Sequence, residues 1–211
     1  MLSVEQFGAN KAIFRKNFSN HIIENNNKIT NGIYEYFLNE NMVFECEFVD
    51  GLIQGECVEY SQDGTKLSEG FYTRGKKDGL FKMYNCFGIL IAEINYKNGE
   101  KDGKCILYHD NGNTKSETFY TKNKKYGSHL EYHENGSYKL CCNYVFDKIE
   151  GHQTEWYEAD SNKPNVKYGH VKYYKKYKFG KLNGYSSFYN ENSYLEKKEL
   201  YVDGCIRKIC D

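Results

Sequence analysis

Residues 78–101 read Asp78-Gly79-Leu80-Phe81-Lys82-Met83-Tyr84-Asn85-Cys86-Phe87-Gly88-Ile89, then Leu90-Ile91-Ala92-Glu93-Ile94-Asn95-Tyr96-Lys97-Asn98-Gly99-Glu100-Lys101. A strand-like run from Gly79 ends on an aromatic, a polar turn holds Gly88, a second apolar run ends on Tyr96, and a second turn holds Asn98-Gly99. That is the grammar of one β-hairpin, because glycine and asparagine tolerate the positive φ that tight turns require.

The same grammar extends in both directions. Glycines recur at Gly32, Gly55, Gly79, Gly103, Gly127 and Gly151, spaced by 23 residues once and then by 24. Nine residues after four of them stands a second glycine (Gly64, Gly88, Gly112, Gly136), and twenty after stands Gly75, Gly99, Asn123 or Asp147. Five after the first glycine come Phe37, Tyr60, Tyr84, Tyr108, Tyr132, Trp156 and, from Gly184, Tyr189. A second aromatic column runs Phe48, Tyr72, Tyr96, Tyr120, Tyr144, Tyr177 and Tyr201, with one residue deleted in the first unit and nine inserted in the sixth. Fixed periodicity of this length marks a repeat architecture.

The repeat predicts an all-β fold: an elongated, single antiparallel sheet or solenoid of about seven 24-residue hairpins, with units at 31–53, 54–77, 78–101, 102–125, 126–149, 150–182 and 183–209. First strands are expected near 33–38, 56–61, 80–85, 104–109, 128–133 and 152–157. Strands about 4.8 Å apart advance roughly 10 Å per repeat, and stacking gives each marginal hairpin its neighbours. Residues 1–30 predict a degenerate capping hairpin, with candidate strands at 12–18 and 21–24 around Ser19-Asn20; Ser3 to Gln6 would alternatively open a short helix. The tail from Gly204 to Asp211 would close the other end. Whether the two aromatic columns share a face depends on bulges the sequence does not place.

Composition agrees. The 211 residues carry 29 basic and 29 acidic side chains, 21 Tyr, 13 Phe, 22 Asn, 19 Gly and one proline, Pro164. Zero formal charge argues against bulk nucleic-acid binding, and a Leu-rich bundle is excluded. No apolar run approaches the ~18 residues of a membrane span and no secretory pattern opens the chain, so a cytoplasmic protein is expected. The eight cysteines include no Cys-x-x-Cys pair, and those at matching positions, Cys57 with Cys105 and Cys46 with Cys142, lie two and four repeats apart, beyond the ~7 Å Cα limit of a disulfide. Reduced packing thiols are expected.

The units from Asp78-Gly79 and Asp102-Gly103 resemble the variant MORN repeat, whose pattern runs Gly-x-x-x-x-Tyr, a polar turn with Gly, then Tyr-x-x-Gly. The resemblance covers about residues 31–209 and points to the YwqK-like group, commonly associated with antitoxin or immunity roles. It implies a hairpin array used for binding and brings no catalytic residues.

The columns offer little chemistry. His109 and His133 share a repeat position but stand about 10 Å apart, too far to converge on zinc, and are expected to face solvent. Glu45, Glu69, Glu93 and Glu117 form an acidic stripe, too widely spaced for paired-carboxylate catalysis: a solvated strand face or a docking surface for a basic partner. The functional candidate is the insertion. From Asn162 to Asn190 there is no acidic residue, while Lys163, Lys167, Lys172, Lys175, Lys176, Lys178 and Lys181 interleave with Tyr168, Tyr173, Tyr174, Tyr177 and Phe179. A lengthened sixth hairpin would carry this charge out of the sheet towards an anionic partner. The plainer reading is a strand with one wet and one packed face. The expected function is therefore a non-catalytic protein-interaction module, of antitoxin or immunity kind, binding through Lys163, Lys167, Lys172, Tyr173, Tyr174, Lys175, Lys176 and Lys178. A membrane-peripheral adaptor for anionic lipid is the alternative, and no cofactor or metal is called for. Lysine outnumbering arginine 26 to 3 argues against base or phosphate recognition in nucleic acid.

Overall fold

A computed structural model describes residues 12–16, 22–23, 31–38, 41–160 and 167–210. The chain divides into two units, residues 1–100 and 101–211. All strand pairings are antiparallel, apart from one isolated parallel bridge between Tyr138 and Tyr168. Among the described residues no helix is long and apolar enough to cross a membrane.

In the first unit the strands are β1 (Ala12–Lys16), β2 (Ile22–Ile23), β3 (Gly32–Leu38), β4 (Asn41–Val49), β5 (Leu52–Tyr60), β6 (Lys66–Thr73), β7 (Lys76–Lys77), β8 (Gly79–Tyr84) and β9 (Leu90–Lys97). From β3 to β7 each strand pairs with the next in sequence, β6 pairs with both β7 and β8, and β8 pairs with β9. At the start the order changes: β1 pairs with both β2 and β3, so β1 lies between strands that follow it in the chain. The remainder of the expected capping hairpin, with its Ser19-Asn20 turn, lies outside the described residues.

The second unit holds β10 (Glu100–Tyr108, starting one residue before the division), β11 (Thr114–Thr121), β12 (Lys124–Tyr132), β13 (Tyr138–Val145), β14 (Lys148–Ile149) and β15 (Gly151–Trp156). It continues with β16 (Val171–Lys178), β17 (Lys181–Leu182), β18 (Gly184–Tyr189), β19 (Leu195–Val202) and β20 (Cys205–Cys210); β13 pairs with both β14 and β15, β16 with both β17 and β18, and the other strands pair in sequence order.

The sequence columns acquire physical reasons from the register. Each first-column glycine lies directly opposite the second-column aromatic of its own hairpin: Gly32 with Phe48, Gly55 with Tyr72, Gly79 with Tyr96, Gly103 with Tyr120, Gly127 with Tyr144, Gly151 with Tyr177 and Gly184 with Tyr201. These glycines hold φ between 83° and 142°, which a side chain rarely tolerates, and a Cβ at Gly55 would meet the Glu47 carboxylate at 2.8 Å. At the far end of each hairpin the ladder skips one residue just before the first-column aromatic, between Tyr36/Phe37, Glu59/Tyr60, Met83/Tyr84, Leu107/Tyr108, Glu131/Tyr132, Glu155/Trp156 and Phe188/Tyr189. One recurrent bulge thus fixes the aim of every ring in that column.

The two turns differ in kind. Pairs such as Asp50-Gly51, Asn98-Gly99, Lys122-Asn123 and Asp203-Gly204 have both φ positive, as two-residue hairpin turns that match strand twist require. In the hairpins that start at Gly55, Gly79, Gly103, Gly127 and Gly184 the other turn is a five-residue loop. At 85–89 the Gly88 N–H donates to the Asn85 carbonyl (2.9 Å), and the Asn85 side chain accepts from the N–H groups of Phe87 (2.9 Å) and Ile89 (3.0 Å).

Strand alternation separates two faces. On one face of the first unit, a row crossing the strands one residue at a time runs Tyr34, Cys46, Cys57, Gly70, Phe81, Ile94, and the apolar core lies here. Phe48, Tyr72 and Tyr96 join it, with edge-to-face contacts of Tyr34 on Phe48 (5.4 Å) and of Phe81 on Tyr72 (5.3 Å) and Tyr96 (5.2 Å). The equivalent row in the second unit is Cys105, Thr118, His129, Cys142, Gln153, Lys175, Ser186, Glu199. The first-column aromatics point to the opposite, more open face, where the Tyr84 hydroxyl donates to Glu69 (2.6 Å). The two aromatic columns therefore occupy different faces.

Candidate binding surface

The inserted sixth unit corrects the expectation of a projecting loop. Its basic stretch forms β16, which pairs with β15 on one side and with β17 and β18 on the other. The flanking residues are pinned as well. The Tyr138 N–H donates to the Lys167 carbonyl (2.8 Å), the Tyr157 N–H to the His170 carbonyl (2.8 Å), and Tyr168 stacks on Tyr138 with centroids 4.7 Å apart. Lys163 lies outside the described residues.

Alternation then divides the candidate residues. Tyr173 and Lys175 turn to the buried face. Burial raises the Tyr173 hydroxyl pKa, assisted by a hydrogen bond to Glu155, and burial pulls the Lys175 ammonium below its usual value. Lys175 lies over the Tyr173 ring at 3.6 Å, so this lysine is a packing element. Lys172 stands at the bulge and pairs with Glu155 at 3.0 Å. Tyr174, Lys176 and Lys178 turn to the open face and are exposed, as is Lys167. Of the candidates, Tyr173 and Lys175 turn away from the face that carries Tyr174, Lys176 and Lys178.

Part of the acidic stripe is compensated by neighbouring lysines. Glu69 meets Lys66 (2.8 Å), Lys82 (3.8 Å) and the Tyr84 hydroxyl, and the Lys66 and Tyr84 hydrogen bonds hold its carboxyl below the ordinary range. The same carboxylate, after burial, helps push Tyr84 up to about 12. Glu117 meets Lys104 at 3.0 Å, Glu93 lies opposite Lys82, and Glu45 lies opposite both Glu35 and Val58. Such half-exposed pairs contribute about 0–1 kcal/mol each.

The histidines are not solvent-facing. Half-buried His109 and His133 donate from Nε2 to the carbonyls of Tyr132 (3.0 Å) and Trp156 (3.1 Å), each reaching the next hairpin. Asn111 and Asn135 do the same from their side-chain amides, to Glu134 (2.8 Å) and Ala159 (2.9 Å). The turn edge is thus stitched between repeats, a role the sequence reading of these residues as turn formers missed. Among the described residues no three His, Cys, Asp or Glu side chains are grouped to hold a metal ion.

Two further features escaped the sequence reading. Cys46 and Cys57 lie directly opposite one another on β4 and β5, and the hydrogen bond between Cys57 and Cys46, with burial, raises the Cys57 thiol pKa strongly. The comparison of matching repeat positions hid this pair, because one cysteine sits in a first strand and the other in a second. The charge also has a counterpart: residues 31–65 contain eight acidic side chains and no lysine or arginine, against seven lysines and no acid over 162–190. Neutral overall, the chain is polarised along its length.

No family model matches the chain, and no curated protein matches it.

Proposed function

We propose that the chain is a variant-MORN-like hairpin array acting as a non-catalytic protein-binding module, which covers an acidic surface of its partner in the manner of an antitoxin or immunity protein. The observation carrying this reading is β16: Lys176 and Lys178 stand exposed on a strand paired along both edges, within a stretch free of carboxylates. A paired strand presents charge in a fixed geometry, which favours electrostatic steering of an anionic surface. The repeat grammar, with its glycine–aromatic pairs and recurrent bulge, supports the array reading. The test is capture of partners from the native host with the wild-type chain and with a variant carrying Lys167→Glu, Lys176→Glu and Lys178→Glu. The variant should keep its fold and lose the partner, and raising salt from 0.1 to 1 M should imitate it as the Debye length falls from about 10 to about 3 Å. Equal capture by both chains at both salt concentrations would refute the proposal.

A further inference from the structure

The two-residue turns hold an anomaly. At the first turn position, where φ is positive, five hairpins carry Asp50, Arg74, Asn98, Lys122 and Asp203, whereas two carry phenylalanine: Phe146 (φ 48°) and Phe179 (φ 52°). A bulky residue is poorly suited to this conformation, and the turn gains nothing from a ring there. Nor does the core. Phe146 is 54% and Phe179 71% exposed. Phe146 leans on Tyr126 at 5.3 Å, while Phe179 stands among exposed Lys178 and Lys181, its N–H held by Glu150 at 2.6 Å. An unfavourable backbone carrying an exposed ring on a basic turn points to a ring kept for contact with something else.

A receptor of the matching kind lies on the open face of the first unit. Three adjacent strands, β5, β6 and β8, frame an open groove of about 270 Å³ lined by Val58, Phe71 and Leu80, with Glu56, Glu69 and Lys82 around them. Phe71 and Leu80 are each 44% exposed. The space falls below the ~300–1,000 Å³ of small-molecule sites and suits a single aromatic side chain. Exposed Glu56 and Glu47 stand on the same face, in the stretch of 31–65 that holds eight acids and no base.

We propose that the partner of this groove is a second copy of the chain, whose Phe179 turn inserts its ring between Phe71 and Leu80 while Lys178 and Lys181 face Glu56 and its acidic neighbours. The inference rests on reading the basic segment as a binding surface and names its occupant. Charge complementarity carries it: the chain holds both halves of the contact, one acid-only stretch and one base-only stretch, at zero net charge. An aromatic anchor surrounded by charged pairs is the arrangement of an interface hot spot and its rim.

The repeat supplies substitutions that should spare the fold. Phe146→Asn with Phe179→Asn installs the residue that Asn98 already provides at this turn position, and Leu80→Lys installs the equivalent of Lys104. Sedimentation velocity over a concentration series in about 0.05 M salt should show self-association of the wild-type chain that disappears in about 1 M salt. Each variant alone should associate at least about tenfold more weakly, the usual scale for truncating an anchor. Mixed in equal amounts, the two variants should recover association, because the intact Phe179 of one meets the intact groove of the other. A wild-type chain monomeric at all concentrations, variants that associate like wild type, or a mixture that recovers nothing would each overturn the inference. So would Phe179-dependent binding to anionic vesicles by a chain that stays monomeric. Capture of an acidic partner that depends on Lys176 and Lys178, by a chain that does not self-associate, would leave the binding-module reading standing and remove this one alone.

Discussion

Adding one methyl group at Gly70 tests how the buried face is packed. Gly70 sits in β6 opposite Cys57 and has no positive φ to explain it. Its constraint is the Phe81 ring, whose Cδ1, Cε1 and Cγ atoms all fall inside van der Waals contact of a Cβ placed there. Phe81 is 3% exposed and wedged edge-on between Tyr72 at 5.3 Å and Tyr96 at 5.2 Å, with the Lys77 ammonium 4.6 Å from its centroid. The ring cannot move away from β6 without disturbing both tyrosines. Overpacking of this kind costs about 1–3 kcal/mol, and each disturbed aromatic pair about 0.5–1.5 kcal/mol beyond area burial. Gly70→Ala should therefore destabilise the first unit by about 2–4 kcal/mol.

The assay is urea unfolding, paired with hydrogen exchange on β6 and β8, since local readouts remain meaningful where a repeat array departs from two-state behaviour. The decisive comparison is a double-mutant cycle. In the Phe81→Val background the ring is gone, and Gly70→Ala should cost less than about 0.5 kcal/mol, leaving a coupling energy within the range expected for touching residues. An equal cost in both backgrounds would refute the reasoning, because the penalty would then belong to the β6 backbone and not to the ring.

Two smaller outcomes follow from the second unit. Glu131 has its carboxyl pKa lowered, chiefly by the hydrogen bond to His129 (3.2 Å) and further by Lys139 (3.5 Å). A carboxylate lowered in the folded state contributes stability that is fully present above its unfolded pKa of about 4.3 and lost as pH falls through the folded value; Glu131→Gln should flatten that acid limb in a pH series of urea midpoints. Ser186 is wholly buried and its Oγ has no hydrogen-bond partner among the described residues, so Ser186→Ala should leave the unfolding free energy from urea titration unchanged or raise it, by at most about 1–3 kcal/mol.

The parts of this fold legible in sequence are those where the backbone dictates residue type. Gly79 must be glycine because its φ is 88°, and it faces Tyr96 because register fixes what lies opposite it, so both leave columns. The expected first strand at 80–85 accordingly matches β8 to within one residue, and the one at 104–109 falls on β10, which begins four residues earlier. The buried row left no column. Tyr34, Cys57, Phe81, Cys105, His129, Gln153 and Ser186 occupy one repeat position and are all buried, yet share no chemistry. Each has only to fit the residue across from it: Phe81 is large where Gly70 is small, and His129 finds the Thr118 hydroxyl at 2.7 Å. The candidate surface was legible as charge and illegible as geometry. The run Lys172-Tyr173-Tyr174-Lys175-Lys176 alternates faces once it is known to be a strand, and an insertion gave no warning that it would be one. Phe179 was legible only as one more ring of the basic stretch, because its oddity lies in a turn conformation, not in its identity.

Pairwise fitting also explains how one repeat tolerates two kinds of interior. In the first unit the row is apolar apart from the Tyr34 hydroxyl and the two thiols, and it is held by ring contacts that burial alone makes favourable. In the second unit Thr118, His129, Gln153 and Glu199 occupy the same row at 1–9% exposure, where a polar group without a partner would cost about 1–3 kcal/mol. His129 meets that requirement by accepting from Thr118 at Nδ1 and donating to Glu131 at Nε2, and Glu199 by accepting from the Tyr201 hydroxyl at 2.7 Å and pairing with Lys197 at 2.7 Å. Every partner is on the same or the adjacent strand. Because His129 and Glu199 find their partners within their own neighbourhoods, substitutions of this kind can accumulate hairpin by hairpin without disturbing the glycine–aromatic pairs. The open face is then free to carry carboxylates at one end of the sequence and lysines at the other.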